Sequence, residues 1–433
     1  MTSRETLGAR FSRKKRILLS LALLMMAFLV VRCVATRDEP PPNDADLRSH
    51  RRNVKDEENG FQLLDSTEAV AVWPEDDEDL GRLFGSARDF DRVKAAEIAK
   101  KNAPVFKELD RCLEMPEFQV PEREERIVAH PHAGAWGDIY HALQSRCRLR
   151  IEEGDAEGAY EDALRLIRLG TRLQGAQGLY TEYLMGVASE SLGTERLITM
   201  AVRGQLPVPL LRRAIEELEP ETHRTGFGDA LRAEYAILSD EIDRFASGTL
   251  FFFAGESSYF RLFFKPNQTK RLLAEKFRAL IGVEGMIVSE RKTLEFPDSG
   301  PGSIEVFLMR KGGEKLLVWL LQMYPDILKH VDSARFGMTA TRTMLGLLVH
   351  RAEKGALPDS LQALVPGTLD SVPIDPYSGK ELRYSAAKQI IYSPGVDGLD
   401  SGGSTKAHVW EAFSDPEEPT LRLDPAAWKY DDE

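Results

Sequence analysis

Cysteine is scarce in this chain: three in 433 residues, with only Cys112 and Cys147 beyond the N-terminal region. A concentrated basic face is missing too. The net charge is −12 and the only basic cluster lies at the N-terminus, which argues against nucleic acid as a partner, because neutralising phosphates requires clustered cations. No GxSxG, GxxxxGKS, HExxH or CxxC occurs, and no GxGxxG follows a strand, so the residue spacings of familiar hydrolases, phosphate loops and zinc sites are absent. No segment repeats at a period of roughly 34 residues, so a helical solenoid is not supported. These absences leave a non-catalytic reading with no organic cofactor.

The only long hydrophobic run is Ile17 to Val31, preceded by Arg4, Arg10, Arg13, Lys14, Lys15 and Arg16. Basic residues stay on the cytoplasmic side of a membrane. We therefore expect a single-pass transmembrane helix over 17–35, a cytoplasmic leader over 1–16, and the bulk of the protein in the extracytoplasmic compartment. The run is short of the roughly 20 residues that cross a bilayer, and Arg32 within the span can snorkel to the interface. The alternative is a cleaved signal, for which Cys33-Val34-Ala35 offers small residues. In an oxidising compartment Cys112 and Cys147 can form a disulfide; as unpaired residues both would be small buried hydrophobes. The expected partners are the membrane, through the N-terminal helix, and other envelope proteins.

"TRDEPPPNDADLRSHRRN" has three prolines and dense charge, so 36–55 reads as a disordered spacer. Helical periodicity begins near Asp56 and runs to about 330, with acidic residues at its start that suit a helix N-terminus. "EDDEDL" at 75–80 reads as a solvated helix start. Over 136–173 the pattern is a helical hairpin. Tyr140, Leu143, Cys147 and Ile151 form one apolar stripe, Gly154 breaks the helix and Asp155 caps the next. Ala159, Ala163, Leu166, Ile167 and Gly170 share a face of that second helix, where small residues let two helices approach closely. "GQLPVPL" interrupts the pattern, and the aromatic stretch 251–264 reads as a seam between helices.

"AHPHAGAWGDIYH" holds His130, His132, Asp138 and His141. Imidazoles with a carboxylate can hold zinc, which would make the protein an extracytoplasmic metal-dependent hydrolase. Pro131 instead favours an extended loop with solvent-exposed histidines.

The most patterned stretch is the tail. A helix is expected over 333–354, with Thr341, Met344, Leu345, Leu348 and Ala352 on its apolar face and Gly355 at its end. Asp375 and Pro376 start a turn, Gly379 allows the reversal, and "LRY" and "IIY" are β-prone runs that can pair. A loop with Ser393, Gly395, Asp397, Gly398, Asp400, Gly402 and Gly403 follows. This ordered series, with Pro358, Leu361, Leu364, Pro373, Tyr377, Tyr384 and Tyr392, resembles the globular part of the type II secretion major pseudopilin. The resemblance covers the last quarter of the chain, 331–433. It implies a small α+β module and a calcium-holding loop, with Asp397 and Asp400 as the ligands here; the other reading is a plain tight turn. The pseudopilin leader, with its Gly-Phe cleavage site and internal Glu, has no counterpart in "FSRKKRILLSLALLMM". The expected architecture is mainly α: an anchor, a helical ectodomain with hairpins over 56–330, and the α+β module. The expected role is an interaction or structural scaffold, or an accessory component of a secretion or pilus-like machine.

Overall fold

The computed structural model describes residues 18–28, 37–48, 50–62, 90–121, 131–218, 226–249, 264–291, 324–403 and 418–425, together with a few isolated positions. Within 131–136 and at 325–326 it describes the backbone only. The expected acidic run 75–80, His130, the bulk of the aromatic stretch and residues 404–417 lie outside the described residues.

The protein is mainly helical with one small antiparallel sheet. In chain order, the helices bounded by described residues beyond residue 90 are α1 (Arg92–Lys101), α2 (Ala103–Glu114), α3 (Pro131–Glu153), α4 (Ala156–Gln174), α5 (Tyr180–Val202), α6 (Val208–Glu217), α7 (Phe227–Ser247), α8 (Pro266–Ile281) and α9 (Tyr324–Lys354). Strands β1 (Arg383–Ser385), β2 (Ile390–Tyr392) and β3 (Thr420–Arg422) follow, in the order β1-β2-β3.

The chain divides into two compact units. The first comprises Met1–Leu47, Leu238–Lys276 and Phe296–Gln322. Here Asp38 accepts the Asn267 and Gln268 N–H groups at 2.7 and 3.2 Å, at the start of α8, where a carboxylate satisfies orphan donors. Glu39 pairs with Arg271 at 2.7 Å, and Leu47 is buried. The second comprises Arg48–Ile237, Phe277–Glu295 and Met323–Glu433. In it Arg52 bonds Glu117 and the carbonyls of Phe118 and Gly175, and the buried Asn59 side chain bonds Gln119 twice, both at 2.8 Å. The spacer expected over 36–55 is therefore corrected: its charged side chains find fixed partners in both units.

In the second unit the expected hairpin is present. Gly154 takes a φ of +77° and Asp155 accepts the Gly158 N–H at 3.0 Å. α4 and α5 form the most extensive helix pair. A Cβ on Gly170 would lie 2.5 Å from the Gly186 carbonyl oxygen, and one on Gly193 would lie 2.5 Å from that of Ala163. Only glycine permits backbones this close. The pair is pinned to its surroundings by Asp162, which is fully buried and accepts from Arg146, Arg150 and Arg165. Arg165 reaches on to Asp110 of α2 at 2.6 Å, and the Arg146 guanidinium stacks 3.6 Å over Phe106.

α9 is longer than the sequence pattern suggested, starting at Tyr324 rather than near 333. It packs on α5 and α6 and also carries β2 and β3. One apolar core joins Ala163, Leu197 and Ile215 of the helical region to Leu345, Leu348, Leu364, Tyr377, Ile391 and Leu421 of the tail. The boundary expected at 331 is thus corrected: tail and helices share one core. β3 was not expected; it pairs with β2 in the register Ile391↔Leu421.

Residues 18–28 are helical and their apolar side chains are exposed, Leu18 at 65% and Phe28 at 63%. Among the described residues no helix is long and apolar enough to cross a membrane. Residues 17, 29 and 31–35 of the expected anchor lie outside the description.

Candidate functional site

Three cavities lined by described residues of the second unit are distinguished by their linings. An apolar one of about 210 Å³ is lined by Tyr140, His141, Leu169, Leu173 and Met185. Burial holds the His141 imidazole below its ordinary pKa, with a Gln144 hydrogen bond opposing. A polar one of about 540 Å³ is lined by Arg52, Arg172, Gln177 and Asp229. Its cations have structural partners: Arg172 donates to the carbonyls of Leu113, Met115 and Pro116.

The third, of about 450 Å³, combines both characters. Tyr183, Val187 and Phe227 form an apolar wall, and Glu284, Arg291 and Arg335 lie on the polar side. This volume falls in the range of small-molecule sites, which pair apolar walls with a few placed polar groups. We take it as the candidate site.

Its polar side is built by three elements. α8 ends in a turn, with Gly285 at a φ of +71°, and delivers Glu284 to the start of α7. There the Glu284 carboxylate accepts the Gly228 N–H at 3.0 Å. Arg291 forms a bidentate pair with Asp332 of α9 at 2.6 and 2.7 Å, and both residues are nearly buried. Burial raises the Asp332 pKa, opposed by the Arg291 hydrogen bond and charge. Arg291 and Arg335 converge on one carbonyl oxygen, that of Met286, at 3.2 and 3.3 Å. The Arg291 Nε–H is buried and has no acceptor among the described residues.

The patterned tail holds this wall in place. The Val288 and Ser289 N–H groups donate to the carbonyls of Pro376 and Tyr377 at 3.1 and 2.9 Å. Ile287 packs on Gly379, where a Cβ would lie 2.4 Å from its Cδ1. The turn itself is organised by Asp375, fully buried, which accepts from the Tyr377 and Ser378 N–H groups and the Ser393 hydroxyl, at 3.1, 3.1 and 2.8 Å. Tyr384 donates to the Pro358 carbonyl at 3.0 Å. The motif residues thus form one hydrogen-bonded turn assembly whose outer edge carries the segment leading to Arg291.

The residues singled out from sequence fall elsewhere. Asp400 pairs with Arg383 and accepts the Gly402 N–H at 2.9 Å, while Asp397 accepts the Leu399 N–H at 2.9 Å. Lys388 donates to the Gly402 carbonyl at 2.6 Å. No group of three or more side chains suited to a metal occurs among the described residues. Cys112 and Cys147 are both free and buried, so the expected disulfide is corrected: each packs in a different apolar cluster. Burial pushes both thiols up to about 12. The histidine segment expected as a loop is helical from Pro131, because proline suits the first helical turn. Asp138 is half-buried on α3 and His141 lines the apolar cavity; the His132 side chain is outside the description.

Nothing in the sequence announced Arg291, Asp332 and Arg335. They are separated by 41 and then three positions and come from a turn and a helix, so no local spacing marks them. Compared with known proteins, the chain matches no family model, no curated protein and no solved structure.

Proposed function

We propose that the protein is a non-catalytic, single-pass envelope protein whose helical body serves as an interaction scaffold. The observation that carries this is the segment 18–28: a helix that is apolar all round, with Leu18, Leu19, Leu24 and Phe28 each more than half exposed. A helix apolar on every side calls for an apolar surrounding, and the six preceding basic residues supply the orientation. A reporter fused after residue 60 is then active outside the cytoplasm and stays with membranes through a carbonate wash. Full release as a soluble product would mean a cleaved signal instead.

An accessory role in a secretion or pilus-like machine is the second reading, supported by the ordered motif series of the tail. Co-purification with pilins tests it. Calcium at Asp397 and Asp400 would have to draw Asp400 away from Arg383. Protein stripped with EDTA and then titrated with calcium decides: a rise in Tm that Asp397→Ala abolishes places the ion there, and an unchanged Tm makes both aspartates turn residues. Stoichiometric zinc in the purified protein, lost with His130→Ala and His132→Ala, would replace the scaffold reading with a hydrolase.

A further inference from the structure

We propose that the apolar cavity between α3, α4 and α5 binds one small, neutral aromatic molecule, a single ring with a short apolar substituent. The size, polarity and surface of the lining each narrow the class.

Size comes first. The cavity's volume of about 210 Å³ is below the roughly 300–1,000 Å³ of sites for cofactors and drug-sized ligands. It exceeds the about 150 Å³ of an apolar cavity that stays dry and takes up benzene. Small residues on two sides leave the space open. A Cβ on Gly137 of α3 would meet His141 Cδ2 at 3.9 Å, an ordinary contact. Ala188 of α5 is exposed, so the cavity opens to the surface there. Its floor is Ile139, Leu169 and Leu173, which are 1%, 3% and 3% exposed.

Polarity comes second. The described residues of the lining include no Asp, Glu, Lys or Arg. Ser189 donates its hydroxyl to the Leu166 carbonyl at 2.8 Å. His141 is hydrogen-bonded to Gln144, and burial favours its neutral form. A charged or strongly polar ligand would give up its water here without gaining a partner.

The kind of apolar surface comes third. Tyr140 and His141 present two rings, inclined at 64° with centroids 4.9 Å apart, and Met185 adds a thioether. Rings pack edge to face, and sulfur sits well at a ring edge. An aromatic guest therefore gains more here than a saturated one of similar shape.

Titration of the full chain in lipid nanodiscs tests the proposal, with ethylbenzene, ethylcyclohexane, 2-phenylethylamine and phenylacetate as probes. Empty nanodiscs measure what merely dissolves in lipid. Ethylbenzene is expected to bind saturably at one per chain, about threefold or more tighter than ethylcyclohexane. It should also bind about tenfold or more tighter than either charged probe. Gly137→Leu places a side chain in the cavity, on a helix that prefers leucine to glycine. It is expected to abolish ethylbenzene binding with circular dichroism unchanged. Ser189→Ala removes a hydroxyl that the ligand does not use and keeps the affinity within about twofold. The wild-type ranking of the four probes decides even where a variant fails to fold. Uptake no greater than that of empty nanodiscs up to ~1 mM overturns the proposal. So does binding of a charged probe as tight as ethylbenzene, the absence of any preference over ethylcyclohexane, or binding that survives Gly137→Leu. A capped Gly-Gly-Phe-Gly-Gly peptide that binds tighter than ethylbenzene and displaces it would make the occupant a partner's side chain, and overturns it too.

Discussion

The α4–α5 pair and the tail around α9 share one apolar core yet are assembled by opposite means. In the pair, backbone meets backbone: added Cβ atoms at Gly170, Gly186 and Gly193 would lie 2.5 to 2.7 Å from main-chain atoms of the partner helix. In the tail, side chains do the filling, and a Cβ on Gly346 of α9 would meet Leu364 and Leu369 at 3.4 and 3.5 Å, an ordinary contact. Their buried carboxylates differ in the same way. Asp162 is held by three arginines, whereas the polar contacts to Asp375 come from backbone N–H groups and two serine hydroxyls. The helical pair is thus a close-fitted joint neutralised by charge, and the tail is a turn assembly satisfied by hydrogen bonds.

The sharpest test of that contrast replaces each carboxylate. Asp162→Asn leaves the mostly buried Arg146 without a carboxylate, while Arg165 keeps Asp110 and Arg150 keeps Asp155, and is expected to cost about 3–5 kcal/mol. Asp375→Asn keeps an acceptor and abandons no cation, so it should cost about 1–3 kcal/mol. Urea denaturation measures both, and equal losses would break the comparison. Next, Leu348→Ala empties a buried position in the shared core and should cost about 2–5 kcal/mol. Glu353→Ala, at the exposed pair with Arg212, should cost less than about 1 kcal/mol. The glycines come third. Gly193→Ala should destabilise by about 1–3 kcal/mol through overpacking. Gly346→Ala should stabilise by up to about 1 kcal/mol, since alanine is the better helix former and finds room. A stabilising Gly193→Ala would mean that the two helices do not approach as described.

The smallest effect is with pH. His141 titrates below its ordinary value of 6.5 because it is buried. As pH falls below 6.5, the unfolded chain takes up the proton first, so stability declines until the lowered folded value is reached. His141→Leu should flatten that acid-side decline in a series of melting curves, and an unchanged slope would assign the decline to other groups.

Local chemistry was legible in the sequence, and long-range pairing was not. Gly154 and Asp155 announced the α3–α4 turn because a helix stop and an N-cap are decided within a few residues. The stripe from Ala159 to Gly170 announced a close helical partner for the same reason, although not that α5 would provide it. In the tail, Asp375, Pro376 and Gly379 marked the turn, and "LRY" and "IIY" marked β1 and β2. β3 escaped because three residues between prolines and acids carry no periodicity of their own. The ring of arginines on Asp162 and the Arg291–Asp332 pair escaped because their partners meet only through tertiary packing. Cys112 and Cys147 misled: two cysteines in a chain expected to be exported suggest a bridge, but helix packing sent them to separate clusters.

The shared core has a bearing on how the chain is made. It opens with Cys147 and Ile151 and is closed by Leu421 and Leu423, all of them buried. An emerging polypeptide therefore completes the α4–α5 pair long before the residues that cover one side of the core have been synthesised. Through most of translation, and through any export that threads the chain from its N-terminus, that apolar surface stays uncovered, the circumstance in which nascent chains aggregate or engage chaperones. Loss of the last segment by truncation or proteolysis would return the protein to the same half-covered state.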